Sequence, residues 1–207
     1  MKILIADDHA ILRKGVIALL RKEFKDAEIC ETSDGTAAIE KTRESKWDII
    51  LLDISMPGLN GIETLKQIRI EGIKTPVLIL TMQSEEQYAI RALRAGASGF
   101  VNKNCAMDEL IAAVHKVLSG RKYITTSISE KMAESLNDNN KIGHELLSDR
   151  EMQVLVLLAS GKTVSDVAVE IFLSANTVST YRSRILEKLE LNNNAELTRY
   201  ALDNGLV

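Results

Sequence analysis

The 207-residue chain holds no run of about 18 consecutive apolar residues, the length a membrane-spanning helix requires. No charged-then-apolar leader opens it either. Residues Lys2–Ala6 read directly as a strand, so a cytoplasmic protein with no membrane partner is expected. Cysteine is nearly missing: Cys30 and Cys105 are the only two, far apart and without CxxC spacing. They suit reduced thiols in the cytosol rather than a disulfide framework. Internal repeats and low-complexity tracts are also lacking. So is the excess of positive charge that marks many nucleic-acid binders: the net charge is -3. Residues 145–207 carry six Lys/Arg against nine Asp/Glu. DNA affinity in that segment has to come from local placement of its basic residues, or from pairing two copies.

What is present is an ordinary globular composition, 45% apolar and 27% charged, long enough for two small domains. In the first 120 residues, short apolar runs alternate with amphipathic stretches. The runs are Ile3–Ala6, Ala27–Cys30, Ile49–Leu52, Val77–Leu80 and Gly99–Val101, each the length of a strand buried on both faces. Helices are predicted over Ala10–Arg21, Thr36–Arg43, Ile62–Arg69, Glu85–Ala95 and Met107–Leu118. Five βα units in series argue a parallel sheet with helices on both faces.

After Gly120 the pattern changes. A weak helix over about Ser127–Leu136 is followed by the polar cluster Asn137-Asp138-Asn139-Asn140, which reads as a linker. Beyond Leu147 only helical periodicity remains. Ser148 with Glu151 forms a capping box, and Gly161 ends that helix. Thr163 with Asp166 opens a second helix. Ser174 starts a third that runs to about Leu189, and a fourth spans from about Asn193 or Asn194 to Asn204. Four short helices with a tight turn before the third make a helix-turn-helix pattern.

The polar residues of the first half gather at strand ends. Asp7 and Asp8 follow the first strand, Asp53 the third, Thr81 the fourth and Lys103 the fifth. In open α/β sheets the carboxyl edge holds the ligand crevice, where strand order reverses. With strand order 2-1-3-4-5, Asp7, Asp8 and Asp53 converge there. Three carboxylates in one crevice need a cation, and an all-oxygen set with room for water suits Mg²⁺. Such a site is built for phosphoryl transfer, with Asp53 as nucleophile and Thr81 and Lys103 holding phosphoryl oxygens. Each residue alone has a plainer reading. Asp7-Asp8-His9 fits a helix start, Thr81 a cap, Lys103 a solvated lysine and Phe100 a core aromatic. His9 reads as a cap or surface residue rather than a ligand.

Four stretches carry a resemblance: ILIADDH, LLDISMPGLNGIETL, VLILTMQSEEQYAIRALRAGASGFVNK and LSDREMQVLVLLASGKTVSDVAVEIFLSANTVSTYRSRILEKL. Over essentially its whole length the chain resembles the NarL/FixJ (LuxR-type) response regulators. That resemblance implies α/β plus all-α architecture. A CheY-like (βα)5 doubly wound receiver over 1–120 is followed by a linker with a short helix over 121–144. A four-helix LuxR-type helix-turn-helix domain then occupies 145–207. It implies Asp53 as phosphoacceptor, and Asp7, Asp8 and the Ser55 carbonyl as further Mg²⁺ ligands. Thr81 and Lys103 become phosphate partners, and Phe100 a switch residue that turns inward as Thr81 moves. Pro57 and Gly61 shape the loop after Asp53. Ser55 and Gln83 flank the site where phosphate lifetime is tuned, and Asn102 stands where an apolar residue is common. The implied partners are a sensor histidine kinase, promoter DNA and, on phosphorylation, a second copy of the chain. The receiver would catalyse its own phosphotransfer and slow dephosphorylation.

In the second domain the third helix is the expected reader of DNA. Val178, Ile185 and Leu189 recur at helical spacing and face the core, leaving Ser179, Thr180, Ser183 and Arg184 outward. Arg182 and Lys188 are placed to reach phosphates, and Thr177 and Tyr181 complete the set, Tyr181 being equally a core residue. Arg199 reads as a surface charge. Two other functions fit less well. A haloacid-dehalogenase-like phosphatase wants an Asp where Ser55 stands, and a flavodoxin-like protein wants a phosphate loop where Asp7 and Asp8 stand. A receiver signalling only through protein contacts is the remaining alternative, favoured by the acidity of the second domain.

Overall fold

The computed structural model describes residues 1–83, 85–104, 107–130 and 143–207, without the side chains of residues 85–87 and 107. The predicted linker cluster Asn137–Asn140 and Cys105 lie outside them. The chain divides into two compact units, Met1–Ala133 and Glu134–Val207.

The first unit alternates strand and helix: β1 (Lys2–Ala6), α1 (Ala10–Glu23), β2 (Glu28–Thr32), α2 (Gly35–Glu44), β3 (Ile49–Leu52), α3 (Gly61–Ile70), β4 (Val77–Thr81), α4 (Glu85–Arg94), β5 (Gly99–Asn102) and α5 (Met107–Leu118). Residues 126–130 form a further helix, α6, and the remainder of the helix predicted to Leu136 lies outside the described residues. The five strands are parallel in the order β2-β1-β3-β4-β5, as expected. Strand alternation divides the core. Leu4, Ala6, Ile50, Leu52 and Ile79 pack on one face with residues of α2, α3 and α4. Ile3, Ile5, Ile49, Leu51 and Leu78 pack on the other, with Leu20 of α1 and Leu110, Val114 and Val117 of α5. Each such side chain contributes roughly 1.5–3 kcal/mol by leaving water. That explains why β3, central and apolar throughout, needs only four residues.

One strand departs from its predicted character. β2 starts one residue later than expected, runs on to Thr32, and is exposed at Glu28 and Glu31, with Cys30 half-buried. Among the described residues it pairs only with β1, and charged side chains keep such an edge from recruiting another strand. The opposite edge is covered differently. Residue 123 bridges to Gly99, and a Cβ on Gly99 would stand 2.8 Å from the Tyr123 carbonyl.

The second unit begins with a 3₁₀ turn, Gly143–Leu146, followed by α7 (Asp149–Ala159), α8 (Val164–Glu170), α9 (Ala175–Lys188) and α10 (Asn194–Asp203). Both predicted capping boxes form, Ser148 with Glu151 and Thr163 with Asp166. Gly161 takes a φ of 88°, the left-handed conformation that ends α7. Val178 and Ile185 of α9 are fully buried among Met152, Leu155, Val167 and Leu197. This fixes which face of α9 is left outside.

Candidate functional site

The acidic crevice forms where β1, β3 and β5 end. β1 and β3 are neighbours, so Asp7 and Asp53 come together, and both carboxylates are almost wholly buried. Lys103 crosses from the end of β5 to join them. Its Nζ lies 2.7 Å from Asp53 Oδ2 and 2.8 Å from Asp7 Oδ2, with only 3% of its side chain exposed. A buried ammonium between two buried carboxylates keeps the repulsion between them in check. The loop after Asp53 turns back on it: Asp53 Oδ1 accepts the backbone N–H of Ile54 at 2.7 Å. Gly61 packs against the Asp53 carbonyl so closely that a Cβ there would stand 2.0 Å from the oxygen. This is the physical reason for a glycine at that place.

Asp8 completes the acidic set. Burial raises its carboxyl above the ordinary range; His9 opposes that shift, and Asp53 and Asp7 add to it. Its Oδ1 is buried and accepts no hydrogen bond. The side chains of Asp7, Asp8, His9 and Asp53 each offer a ligand atom, all within 4.8 Å of one another. A convergent set of carboxylate oxygens, one of them buried without a donor, suits a hard divalent cation. The residues present fit Mg²⁺.

The remaining predicted residues surround this point. Thr81 is fully buried at the end of β4, and its Oγ1 accepts the Gln83 N–H at 3.3 Å. The Gln83 amide in turn donates to Ser55 Oγ at 2.8 Å, and Asn102 Nδ2 donates to the Gln83 carbonyl at 3.2 Å. The apolar-to-polar departure at Asn102 therefore has a use: it fixes the backbone beside Gln83. Phe100, expected to turn inward on activation, is 1% exposed here, in the core with Ile79 and Ala89. Arg13 was not foreseen. Its guanidinium donates to the Asp7 carbonyl and, through Nε, to Glu31 at 2.7 Å, clamping the acidic loop to β2. A helix-face arginine far from the motif in sequence carries no signal of that role.

In the second unit α9 presents Ser179, Thr180, Ser183 and Arg184 to solvent, as the spacing predicts. Thr180 and Ser183 hydroxyls bond back to the carbonyls of Asn176 and Ser179. Thr177 is half-buried, with its Oγ1 2.8 Å from the capping Ser174 Oγ. Asn176, exposed on the first turn, was not among the predicted residues. Asn is a base-reading side chain at such positions. Three basic or aromatic residues have partners within the second unit. Tyr181 packs on the core. Arg182 Nε donates to Asn194 Oδ1 at 2.5 Å, joining α9 to α10. Lys188, predicted to reach phosphate, pairs its ammonium with the buried Glu151 at 2.7 Å and so braces α9 against the start of α7. Arg199 is a surface charge beside Asp203.

Comparison with known proteins follows this division. Residues 3–115 match the response regulator receiver domain, and residues 145–201 match the luxR family of bacterial regulatory proteins. Response regulator UvrY of Escherichia coli is 32% identical over 209 residues, covering 100% of this chain and 95% of that protein. Oxygen regulatory protein NreC of Staphylococcus haemolyticus is 36% identical over 218 residues, covering 100% and 99%. Among solved structures, RcsB of Salmonella enterica serovar Typhimurium was determined bound to the promoter rprA with the phosphomimetic BeF3-. It is 27% identical over 97% of both chains, with a TM-score of 0.66.

Proposed function

The chain belongs to the response regulators that couple a receiver domain to a LuxR-type DNA-binding domain, and we propose that Asp53 is the residue through which it is switched. The observation carrying this reading is the meeting of Asp53, Asp7 and Lys103 at the ends of three strands. In the proposed cycle a carboxylate oxygen of Asp53 attacks the phosphorus of a phosphohistidine on a sensor kinase. The P–N bond breaks as the acyl phosphate bond forms, and the kinase imidazole leaves with a proton. Asp7, Asp8, Asp53 and the Ser55 carbonyl would hold Mg²⁺, which would supply charge neutralisation for the incoming phosphoryl group. Lys103 then exchanges one carboxylate partner for a phosphoryl oxygen, and the Thr81 hydroxyl gives up the Gln83 N–H to bond another. Hydrolysis by water ends the signal, its rate set by Ser55 and Gln83, which are bonded to each other.

The added anion, about -1.5 to -2 charges, draws Thr81 and Lys103 toward Asp53 and biases the packing around Phe100 between two arrangements. In the second unit, α9 enters the major groove of promoter DNA with Asn176, Ser179, Thr180, Ser183 and Arg184 outward. Thr177 and Arg182 lie at its borders, and Tyr181 and Lys188 support it from behind. So weakly charged a module binds feebly alone, and phosphorylation-promoted dimerisation raises its affinity through effective concentration. Among the described residues no helix is long and apolar enough to cross a membrane.

A gel shift at low salt, paired with sedimentation in the ultracentrifuge, tests this. Acetyl phosphate with Mg²⁺ raises both DNA affinity and mass in the native protein and neither in Asp53→Asn. DNA binding absent in every state would leave the protein-contact reading instead.

A further inference from the structure

We propose that Asn102 is a positioning residue for the acyl phosphate: its amide holds Gln83 beside Asp53 and so lengthens the life of the phosphorylated state. This rests on Asp53 being the phosphoacceptor. Asn102 closes β5, in register with Thr81 at the end of β4. Both ends of its side-chain amide are used. Nδ2 donates to the Gln83 carbonyl at 3.2 Å, and Oδ1 accepts the Asn104 N–H at 2.9 Å. One planar group therefore ties the loop after β4 to the loop after β5, and an aliphatic side chain in its place can do neither.

Gln83 is held at three points. Its N–H donates to Thr81 Oγ1 at 3.3 Å, its carbonyl accepts from Asn102, and its side-chain amide donates to Ser55 Oγ at 2.8 Å. Ser55 lies two residues beyond Asp53, and its N–H donates to Asp53 Oδ1 at 3.4 Å. Hydrogen bonds thus run residue to residue from Asn104 through Asn102, Gln83 and Ser55 to the phosphoacceptor. The bridge from Gln83 to Ser55 joins the loops after β4 and β3 beside an Asp53 that is only 2% exposed. In the proposed cycle Thr81 leaves the Gln83 N–H for a phosphoryl oxygen. Asn102 is then the backbone tether that Gln83 keeps while the acyl phosphate stands. Hydrolysis needs a water in line with the bond from phosphorus to the Asp53 oxygen. That water attacks the phosphorus, the bond breaks, the Asp53 carboxylate is restored, and inorganic phosphate leaves with both protons of the water. A Gln83 released by Asn102 lets the bridge open and admits water more often.

The test follows decay of the acyl phosphate by intact-mass spectrometry, after full-length protein has been phosphorylated with acetyl phosphate and Mg²⁺ and then desalted. The half-life is expected to fall roughly threefold to tenfold in both Asn102→Val and Asn102→Ala, the effect of losing one positioning hydrogen bond. Gln83→Ala, which removes the bridge itself, should shorten it at least as much. In the Gln83→Ala background, Asn102→Val should change the half-life by less than about twofold, because Asn102 acts through Gln83. A general loosening of the receiver would shorten it in both backgrounds alike. Trp47 fluorescence in urea checks that each variant is folded. A half-life unchanged or lengthened in both Asn102 variants, or shortened equally with and without Gln83, would overturn the role of Asn102 while leaving the Asp53 reading intact. Native protein that gains no phosphoryl group on Asp53 would remove both.

Discussion

Gly61→Ala perturbs the receiver at one defined point. The added Cβ would stand 2.0 Å from the Asp53 carbonyl oxygen, 2.8 Å from its carbon and 2.9 Å from Ile54 Cα. All three are backbone atoms, so no side chain can swing away. On one side they continue β3, buried in the middle of the sheet. On the other, Gly61 opens α3, whose start is fixed by the reciprocal hydrogen bonds of Asn60 and Glu63. Relief requires a backbone shift of about 1 Å in a close-packed region, and overpacking of this kind costs typically 1–3 kcal/mol, with the upper end expected where only backbone can yield. A loss near 3 kcal/mol lowers the folding equilibrium constant by more than a hundredfold. Trp47 is the only tryptophan, sits in the receiver core, and donates its indole N–H to the Lys41 carbonyl. Its fluorescence in urea therefore reports receiver unfolding in the full-length chain. Gly15→Ala is the control. Gly15 lies inside α1 with nothing within 4 Å of a new Cβ, so a gain of roughly 0.5–1 kcal/mol is expected from helix propensity. If Gly61→Ala unfolds within about 0.5 kcal/mol of the native protein, the close-packing argument fails.

Three further predictions concern the second unit. Burial pushes the Glu151 carboxyl up, but the hydrogen bonds from Lys188 and Ser148 outweigh this and hold it below its ordinary value. A carboxyl lowered in the folded state adds stability above its unfolded pKa and loses it as pH falls through the folded one. The second unit should therefore weaken from roughly pH 5 downward, and Glu151→Gln should flatten that dependence in helical circular dichroism. Arg184→Ala should weaken binding to all DNA sequences alike and reduce the salt dependence by about one phosphate contact. Lys188→Ala, in contrast, should lower thermal stability, and a salt slope reduced as much as in Arg184→Ala would show that Lys188 reaches the DNA after all.

The sheet and its order were legible because buried parallel strands announce themselves as unbroken apolar runs, and the carboxyl-edge rule then gathers Asp7, Asp53 and Lys103. The helix starts at Ser148 and Thr163 were legible for a different reason: a capping box is a local chemical pattern, complete within four residues. Contacts between distant elements were not. Nothing near Lys188 indicates that Glu151, 37 residues away, neutralises it. Nothing near Arg13 indicates that it clamps the Asp7 carbonyl. His9 reads from its neighbours as a cap because the spacing of residues gives its position on α1 but not the direction of its ring. The edge character of β2 was likewise hidden, since Ala27–Cys30 looks apolar until its pairing on one side only is known.

The most direct measurement is the site of phosphorylation. Full-length protein incubated with acetyl phosphate and Mg²⁺, digested and sequenced by mass spectrometry under conditions that preserve acyl phosphates, should carry one phosphoryl group, on Asp53. Asp53→Asn should carry none. A phosphoryl group found on another residue of the native protein, or retained in Asp53→Asn, would contradict the account.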